Sequence, residues 1–206
     1  REQAVLDRVV QDIRKRGNQQ TAGDIGFWYL LQALSQHGRS DVIYDMTART
    51  DIGSYGFIVR NNWTSMPEAW DADTGASMNH CMLGHIQEWF MGWVAGIRPD
   101  VTSPGFLRFV IDPHPVGALT WARAEYDSIR GMIRSEWRRS NGVFTLRVTI
   151  PAGTCAVVYI PADRAEDVTE SGTPAAQARG VRVLGPDRRK ARFLVEAGTY
   201  EFASRL

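Results

Sequence analysis

The sequence has 206 residues, 44% of them hydrophobic, which is enough apolar material for one large or two small packed domains. Its formal net charge is only +1, so it lacks the concentrated basic excess that proteins binding nucleic acid or anionic membranes usually carry. No apolar run approaches the roughly 20 residues that span a bilayer. We therefore expect neither a nucleic-acid partner nor a membrane segment.

The cysteine content argues against both a disulfide framework and a cysteine-based metal site. Cys81 and Cys155 are too few and too far apart in the sequence for either, and we expect both to be free, buried thiols. The sequence predicts no cofactor and no metal site.

The first half of the chain shows helical spacing of its apolar residues. The pattern predicts one helix over residues 4–13, ended by Gly17 and Asn18, and a second from about 25 to 36, ended by Gly38. A third helix contains Val42, Ile43 and Met46. The short connections predict antiparallel neighbours.

Residues 50–77 have no sustained period and are predicted to form a long irregular connection, a kind of segment that is uncommon and usually functional. Helical spacing then returns, and it predicts one long, nearly buried helix over residues 78–94.

From residue 99 onward the signals are those of strands. A linker rich in Pro, Gly and Asp precedes alternating or β-branched runs at 106–111, 119–126, 131–138, 143–150 and 154–160, with further short strands at 181–184, 191–195 and 199–202. Asn141-Gly142 predicts a hairpin turn. Together these runs predict an antiparallel β-sandwich, in which Trp121 and Trp137 are expected to pack in the core.

The irregular connection contains the residues with the strongest chemical signal. Glu68 lies between tryptophans in residues 62–73, and an Asn-His pair, Asn79 and His80, follows shortly afterwards. Indole rings can stack on the apolar face of a sugar, while carboxylate, amide and imidazole groups bind its hydroxyls. For Glu68 alone, a helix-capping or arginine-paired carboxylate is the commoner explanation. A histidine such as His80, taken alone, is more often a hydrogen-bonded core residue, and for Asp24 an N-cap role in the second helix is at least as common as ligand binding.

Several motifs, taken together and in order along the chain, resemble those of bacterial α-L-rhamnosidases. They are Gly-Asp-Ile-Gly-Phe at 23–27, Gly-Arg-Ser-Asp-Val at 38–42, Pro-Glu-Ala-Trp-Asp at 67–71, Ser-Met-Asn-His at 77–80, Ala-Gly-Ile-Arg-Pro at 95–99 and Tyr-Asp-Ser-Ile-Arg-Gly at 126–131.

The resemblance implies an α + β multidomain protein. Residues 1–98 would be the last helices of an (α/α)6 toroid, and residues 99–206 an antiparallel β-sandwich. It also implies hydrolysis of terminal α-L-rhamnose from glycosides with inversion, in which Glu68 is the general base. His80 would contact the rhamnose, Trp70 would support the wall of the site, and Asn79 and Asp24 are further candidates for substrate binding.

The resemblance places the general acid, an aspartate, upstream of Arg1, so the remaining N-terminal part of the same enzyme becomes an expected partner and the chain alone is expected to be inactive. Asp71 and Asp73 are poor substitutes, because they are too close to Glu68 in sequence for an inverting pair roughly 6.5–9.5 Å apart. Two alternatives stay open. One is a non-catalytic carbohydrate-binding module, and the other is a structural fragment with uncovered apolar faces. The compartment, bacterial cytoplasm or periplasm, also stays open.

Overall fold

The structure is a computed structural model that describes residues 1–71 and 76–206, and it divides into two compact units, Arg1–Trp89 and Phe90–Leu206. We call them the helical unit and the strand unit. The described elements of the helical unit are α1 Glu2–Lys15, α2 Asp24–Gln36, α3 Ser40–Thr47, α4 Tyr55–Arg60, a 3-10 turn Met82–His85 and α5 Ile86–Trp89.

The first three predicted helices are confirmed, and their ends have clear physical causes. α1 buries Leu6, Val10 and Ile13 along one face, and it stops where Gly17 and Asn18 adopt positive φ. α2 likewise ends before Gly38, whose φ is +71°. Outside this core the unit exposes several large apolar side chains: Val5, Ile25, Tyr29, Ile52 and Val59.

Two predictions for the helical unit are wrong. Residues 50–77 are not irregular throughout, because Ser54 caps the short helix α4 by accepting a hydrogen bond from the backbone N of Phe57 at 3.2 Å. The helix predicted to start at Met78 begins only at Met82, as a 3-10 turn. His80 instead donates its backbone N–H to Met66 O at 2.8 Å, so this stretch pairs with the preceding loop.

The strand unit begins with a π-helical turn, Phe90–Val94. Its described strands are β1 Ile97–Pro99, β2 Arg108–Ile111, β3 Trp121–Ser128, β4 Gly131–Ser140, β5 Val143–Pro161, β6 Val168–Glu170, β7 Thr173–Pro174, β8 Val181–Asp187 and β9 Lys190–Arg205, with 3-10 turns at Ala165–Asp167 and Ala175–Gln177. Residues 90–98 belong to this unit because Trp137 Nε1 donates to Val94 O and Ser135 Oγ to Ala95 O, both at 2.7 Å. A domain boundary after residue 98 stays a prediction.

All these strands join one mostly antiparallel sheet, so the α + β class and the antiparallel pairing are confirmed in the main. The exception is β2, which pairs with β5 in parallel. The predicted strands at 143–150 and 154–160 form the single strand β5, whose pairing with β9 shifts between Ile150 and Cys155, and β9 likewise unites two predicted strands.

Local details of the strand unit both support and correct the sequence patterns. The hairpin between β4 and β5 is confirmed, since Asn141 and Gly142 both have positive φ, as a tight two-residue turn requires. Trp137 is fully buried as expected, but Trp121 is 59% exposed at the start of β3.

The two thiols are free, yet neither is buried: Cys81 is exposed and Cys155 is half-buried. Within residues 1–71 and 76–206, no helix is long and apolar enough to cross a membrane.

Candidate functional site

Two segments of the irregular connection pair with each other and fix the backbone of Glu68. The backbone N of Glu68 donates to Ser77 O at 2.9 Å, and Ser65 Oγ donates to Met78 O. The Glu68 carboxylate in turn accepts from the backbone N of Ser77 through Oε2, at 3.3 Å. Among the described residues its hydrogen-bond partner is therefore a backbone amide and not an arginine, so of the two structural alternatives the arginine-paired carboxylate is not observed.

Trp70 is held by contacts to two helices of the same unit and to the segment that precedes α2. Its Nε1 donates to Ala22 O at 2.8 Å, and its ring packs edge-on against Phe27 and Tyr55, with centroids 5.2 and 5.1 Å away. Phe27 is fully buried in α2. Burial raises the pKa of Tyr55 far above its usual range, and its neutral hydroxyl donates to Leu83 O. These contacts fix the position of the Trp70 indole ring.

Asp24 and His80, distant in the sequence, lie side by side at the start of α2. Asp24 Oδ1 accepts from the backbone N of Ile25 at 2.7 Å, and Oδ2 lies 3.3 Å from His80 Nε2. The two groups are not aligned for a hydrogen bond, and among the described residues the buried Nε2 has no hydrogen-bond partner. The residue that caps α2 is Gly23, so Asp24 is not the N-cap residue.

A cleft of about 650 Å³ brings several of these side chains together. Three of the residues predicted from the sequence line it, and they are Asp24, Glu68 and Trp70. Asp71 also lines the cleft, whereas Asp73 lies outside the described residues. His80 does not line the cleft, although it lies next to Asp24, which does. Asn79 is exposed and does not line the cleft either.

The sequence patterns missed other residues of the cleft lining, notably Gln20, Ile52 and Gly53. Gly53 has a φ of +80°, a backbone conformation in which a side chain would be strained, although a Cβ there would meet Trp70 only at ordinary van der Waals distances. Nothing in the sequence distinguished Gln20 from its neighbour Gln19.

The chemistry of the cleft suits a neutral polyhydroxylated ligand. Asp24, Glu68 and Asp71 supply carboxylates, and among the described lining residues there is no lysine, arginine or histidine to balance them. Such a negative cleft disfavours anionic ligands. Carboxylates can accept hydrogen bonds from sugar hydroxyls, an ionised one can take a proton from water, and an indole face can cover an apolar ring.

Comparisons with known proteins agree with this organisation. A family profile for the bacterial alpha-L-rhamnosidase 6 hairpin glycosidase domain matches residues 1–94, and one for the bacterial alpha-L-rhamnosidase C-terminal domain matches residues 96–174. An alpha-L-rhamnosidase of Streptomyces avermitilis is 32% identical over 202 residues, which cover 93% of this chain and 19% of that protein. One of Formosa agariphila is 26% identical over 207 residues, 96% of this chain and 22% of that protein.

A solved structure gives the same result. The crystal structure of the Streptomyces avermitilis alpha-L-rhamnosidase complexed with L-rhamnose matches with a TM-score of 0.86 and 29% identity, covering 97% of this chain and 19% of that one. The chain therefore spans about a fifth of the length of these relatives. The two matched profiles define the class, which is that of a C-terminal portion of a glycoside hydrolase. Within that class, the chain belongs to the bacterial α-L-rhamnosidase family.

Proposed function

We propose that this chain is part of an enzyme that hydrolyses terminal α-L-rhamnose from glycosides with inversion, and that Glu68 is its general base. The observation that carries this proposal is the position of Glu68 in a negatively charged cleft beside Trp70, with its backbone fixed through Ser77. Membership of the family supports the class of reaction.

In the proposed reaction, the Glu68 carboxylate takes a proton from a water molecule as the water oxygen bonds to the anomeric carbon. The bond to the leaving oxygen breaks on the opposite face of the sugar, and a general acid gives that oxygen a proton. We place the acid in the part of the relatives' length that this chain does not span.

The other residues of the site have binding roles in this proposal. Trp70 covers the apolar face of the rhamnose, and Asp24 accepts from its hydroxyls. His80, whose Nε2 lies 3.3 Å from Asp24 Oδ2 and has no hydrogen-bond partner among the described residues, also binds the sugar. Asn79 is exposed and would act at the rim of the site.

Substitution of Glu68 in the complete gene product containing this chain tests the proposal. Glu68→Gln should lower kcat on an aryl α-L-rhamnoside by roughly 10²–10⁴-fold, as loss of a general base does. The matched control Glu2→Gln changes a carboxylate at the start of α1, outside the cleft lining, and should leave kcat within about twofold of the original.

Product configuration and chemical rescue complete the test. Proton NMR of the fresh product should show β-L-rhamnose, and azide should restore turnover of Glu68→Ala by forming the β-L-rhamnosyl azide, because azide needs no base. Retention of configuration, or a parent enzyme indifferent to Glu68→Gln, would refute the assignment. The isolated chain should release no rhamnose.

A further inference from the structure

Gln20 is an unusual residue of the cleft, since its side chain is buried but unsatisfied. Only 6% of the residue is exposed, and among the described residues neither Nε2 nor Oε1 of its amide has a hydrogen-bond partner. Buried side-chain amides in proteins are almost always hydrogen-bonded. A residue that lines a ligand cleft and keeps both its donor and its acceptor unused therefore points to a partner that binds in the cleft.

The surrounding groups show which partner would satisfy this amide. The carboxylates of Asp24, Glu68 and Asp71 can only accept hydrogen bonds when ionised. The indole N–H of Trp70 is already used by Ala22 O. A sugar hydroxyl bound here donates to a carboxylate, and its oxygen still needs a donor. The NH₂ group of Gln20 can supply one.

We propose that Gln20 is a substrate-recognition residue, whose Nε2 donates to one hydroxyl of the sugar in the cleft and whose Oε1 accepts from a neighbouring hydroxyl. This inference rests on the proposed function, because it assigns the sugar of that reaction as the ligand. A carboxamide does not titrate, so Gln20 takes no part in proton transfer. It acts on the affinity for the sugar, and hence on KM, while Glu68 acts on kcat.

The experiment uses the complete gene product with Gln20→Met, which keeps the length of the side chain but removes both hydrogen-bonding groups. Gln20→Leu provides a second apolar variant of different shape. The matched control is Gln36→Met, on an exposed residue of α2 whose amide already donates to Gln32. The measurements are kcat and KM on 4-nitrophenyl α-L-rhamnoside, the inhibition constant of free L-rhamnose, and the thermal unfolding midpoint.

We expect both Gln20 variants to raise KM and the rhamnose inhibition constant by roughly tenfold or more, with kcat within about twofold. The unfolding midpoint should stay unchanged or rise, because an apolar side chain replaces an unsatisfied amide. With the 2-, 3- and 4-deoxy rhamnosides, the loss should be smaller for the two substrates that each lack one of the hydroxyls bound by Gln20 than for the third. Gln36→Met should change none of these values.

Unchanged KM and inhibition constants would overturn the inference. So would a loss that is equal for every deoxy substrate or accompanied by a lower unfolding midpoint, since either result marks a structural amide. Failure of the proposed function is recognised separately, by a parent that hydrolyses no rhamnoside or is indifferent to Glu68→Gln. In that case the role of Gln20 is tested by titrating rhamnose while monitoring tryptophan fluorescence. A Kd for rhamnose that Gln20→Met leaves unchanged overturns the inference.

Discussion

Replacing Asp112 by asparagine should destabilise the strand unit, because this buried carboxylate is the common partner of three cationic or polar groups. Its Oδ2 accepts from Arg98 Nη2 at 2.8 Å and from His114 Nε2 at 3.1 Å, and its Oδ1 accepts from Lys190 Nζ at 2.5 Å. The Asp112 side chain is 12% exposed. Removing its charge leaves Arg98 and Lys190 without their anion in a largely buried place.

The size of the effect follows from burial. Breaking a buried ion pair by removing one partner costs about 3–5 kcal/mol, and we expect about 3 kcal/mol here, because Arg98 and Lys190 are each 22% exposed and regain some hydration. The matched control is Asp163→Asn. That residue pairs with Arg189 at 3.3 Å, but the two side chains are 67% and 87% exposed, so the change should cost under about 0.5 kcal/mol.

The pH dependence has a definite sign. Burial alone would raise the pKa of Asp112, but the hydrogen bond from His114 and the charges of Lys190 and Arg98 outweigh it and hold the pKa well below its usual range. Burial lowers the pKa of His114, against the opposing effect of Asp112. In both cases the unfolded chain binds the proton first on acidification. Stability should therefore fall below about pH 6.5 through His114, and fall further below about pH 4 through Asp112.

Urea unfolding, with hydrogen exchange measured in β5 and β9, reports on the strand unit specifically. Asp112→Asn should lower its free energy of unfolding by about 3 kcal/mol at neutral pH, and it should flatten the loss of stability below about pH 4. A loss below about 1 kcal/mol, or one no larger than that of Asp163→Asn, would refute the reasoning.

Two further predictions concern the same unit. Gly96→Ala should lower the free energy of unfolding in urea by more than about 3 kcal/mol, because φ is +87° and a Cβ would lie 2.4 Å from two backbone atoms. The control Gly142→Ala, where φ is +74° and no atom lies within 4 Å of the added Cβ, should lower it by only about 1 kcal/mol. Equal costs would contradict the steric argument. Hydrogen bonds from Thr102 and then Arg108 lower the pKa of Asp100 to about 2, so stability should fall as the pH drops from about 4 through 2. Asp100→Asn should reduce that loss, and an unchanged acid profile would contradict it.

The sequence predicted the elements that depend on local signals. α1 and α2 have a regular apolar period and glycine at or beyond their ends, and Asn141-Gly142 specifies a two-residue hairpin by its backbone preference alone. α4 was missed because its six residues are too few to show a period. The parallel pairing of β2 with β5 joins distant segments, and no local pattern encodes it.

The residues of the site likewise include some that the sequence predicted and some that it could not predict. Glu68, Trp70 and Asp24 were found because family motifs mark them, and the structure brings them to one cleft, although their roles stay predictions. The start of the last helix was misplaced because the backbone of His80 bonds to Met66, a tertiary contact that outweighs helical spacing. Gln20 could not be found, since being unsatisfied is a property of the folded environment.

The bond from Trp70 to Ala22 joins the aromatic wall to the segment that carries Gln20 and Asp24. An insertion or deletion in residues 20–24 would shift the wall and the polar groups together, and so would alter the width of the cleft and its hydrogen-bonding pattern in one step. A side-chain replacement at Gln20 or Asp24 changes only the pattern. Sequences closely related to this one that differ in sugar preference should therefore differ by single substitutions in residues 20–24 and not in the length of that segment.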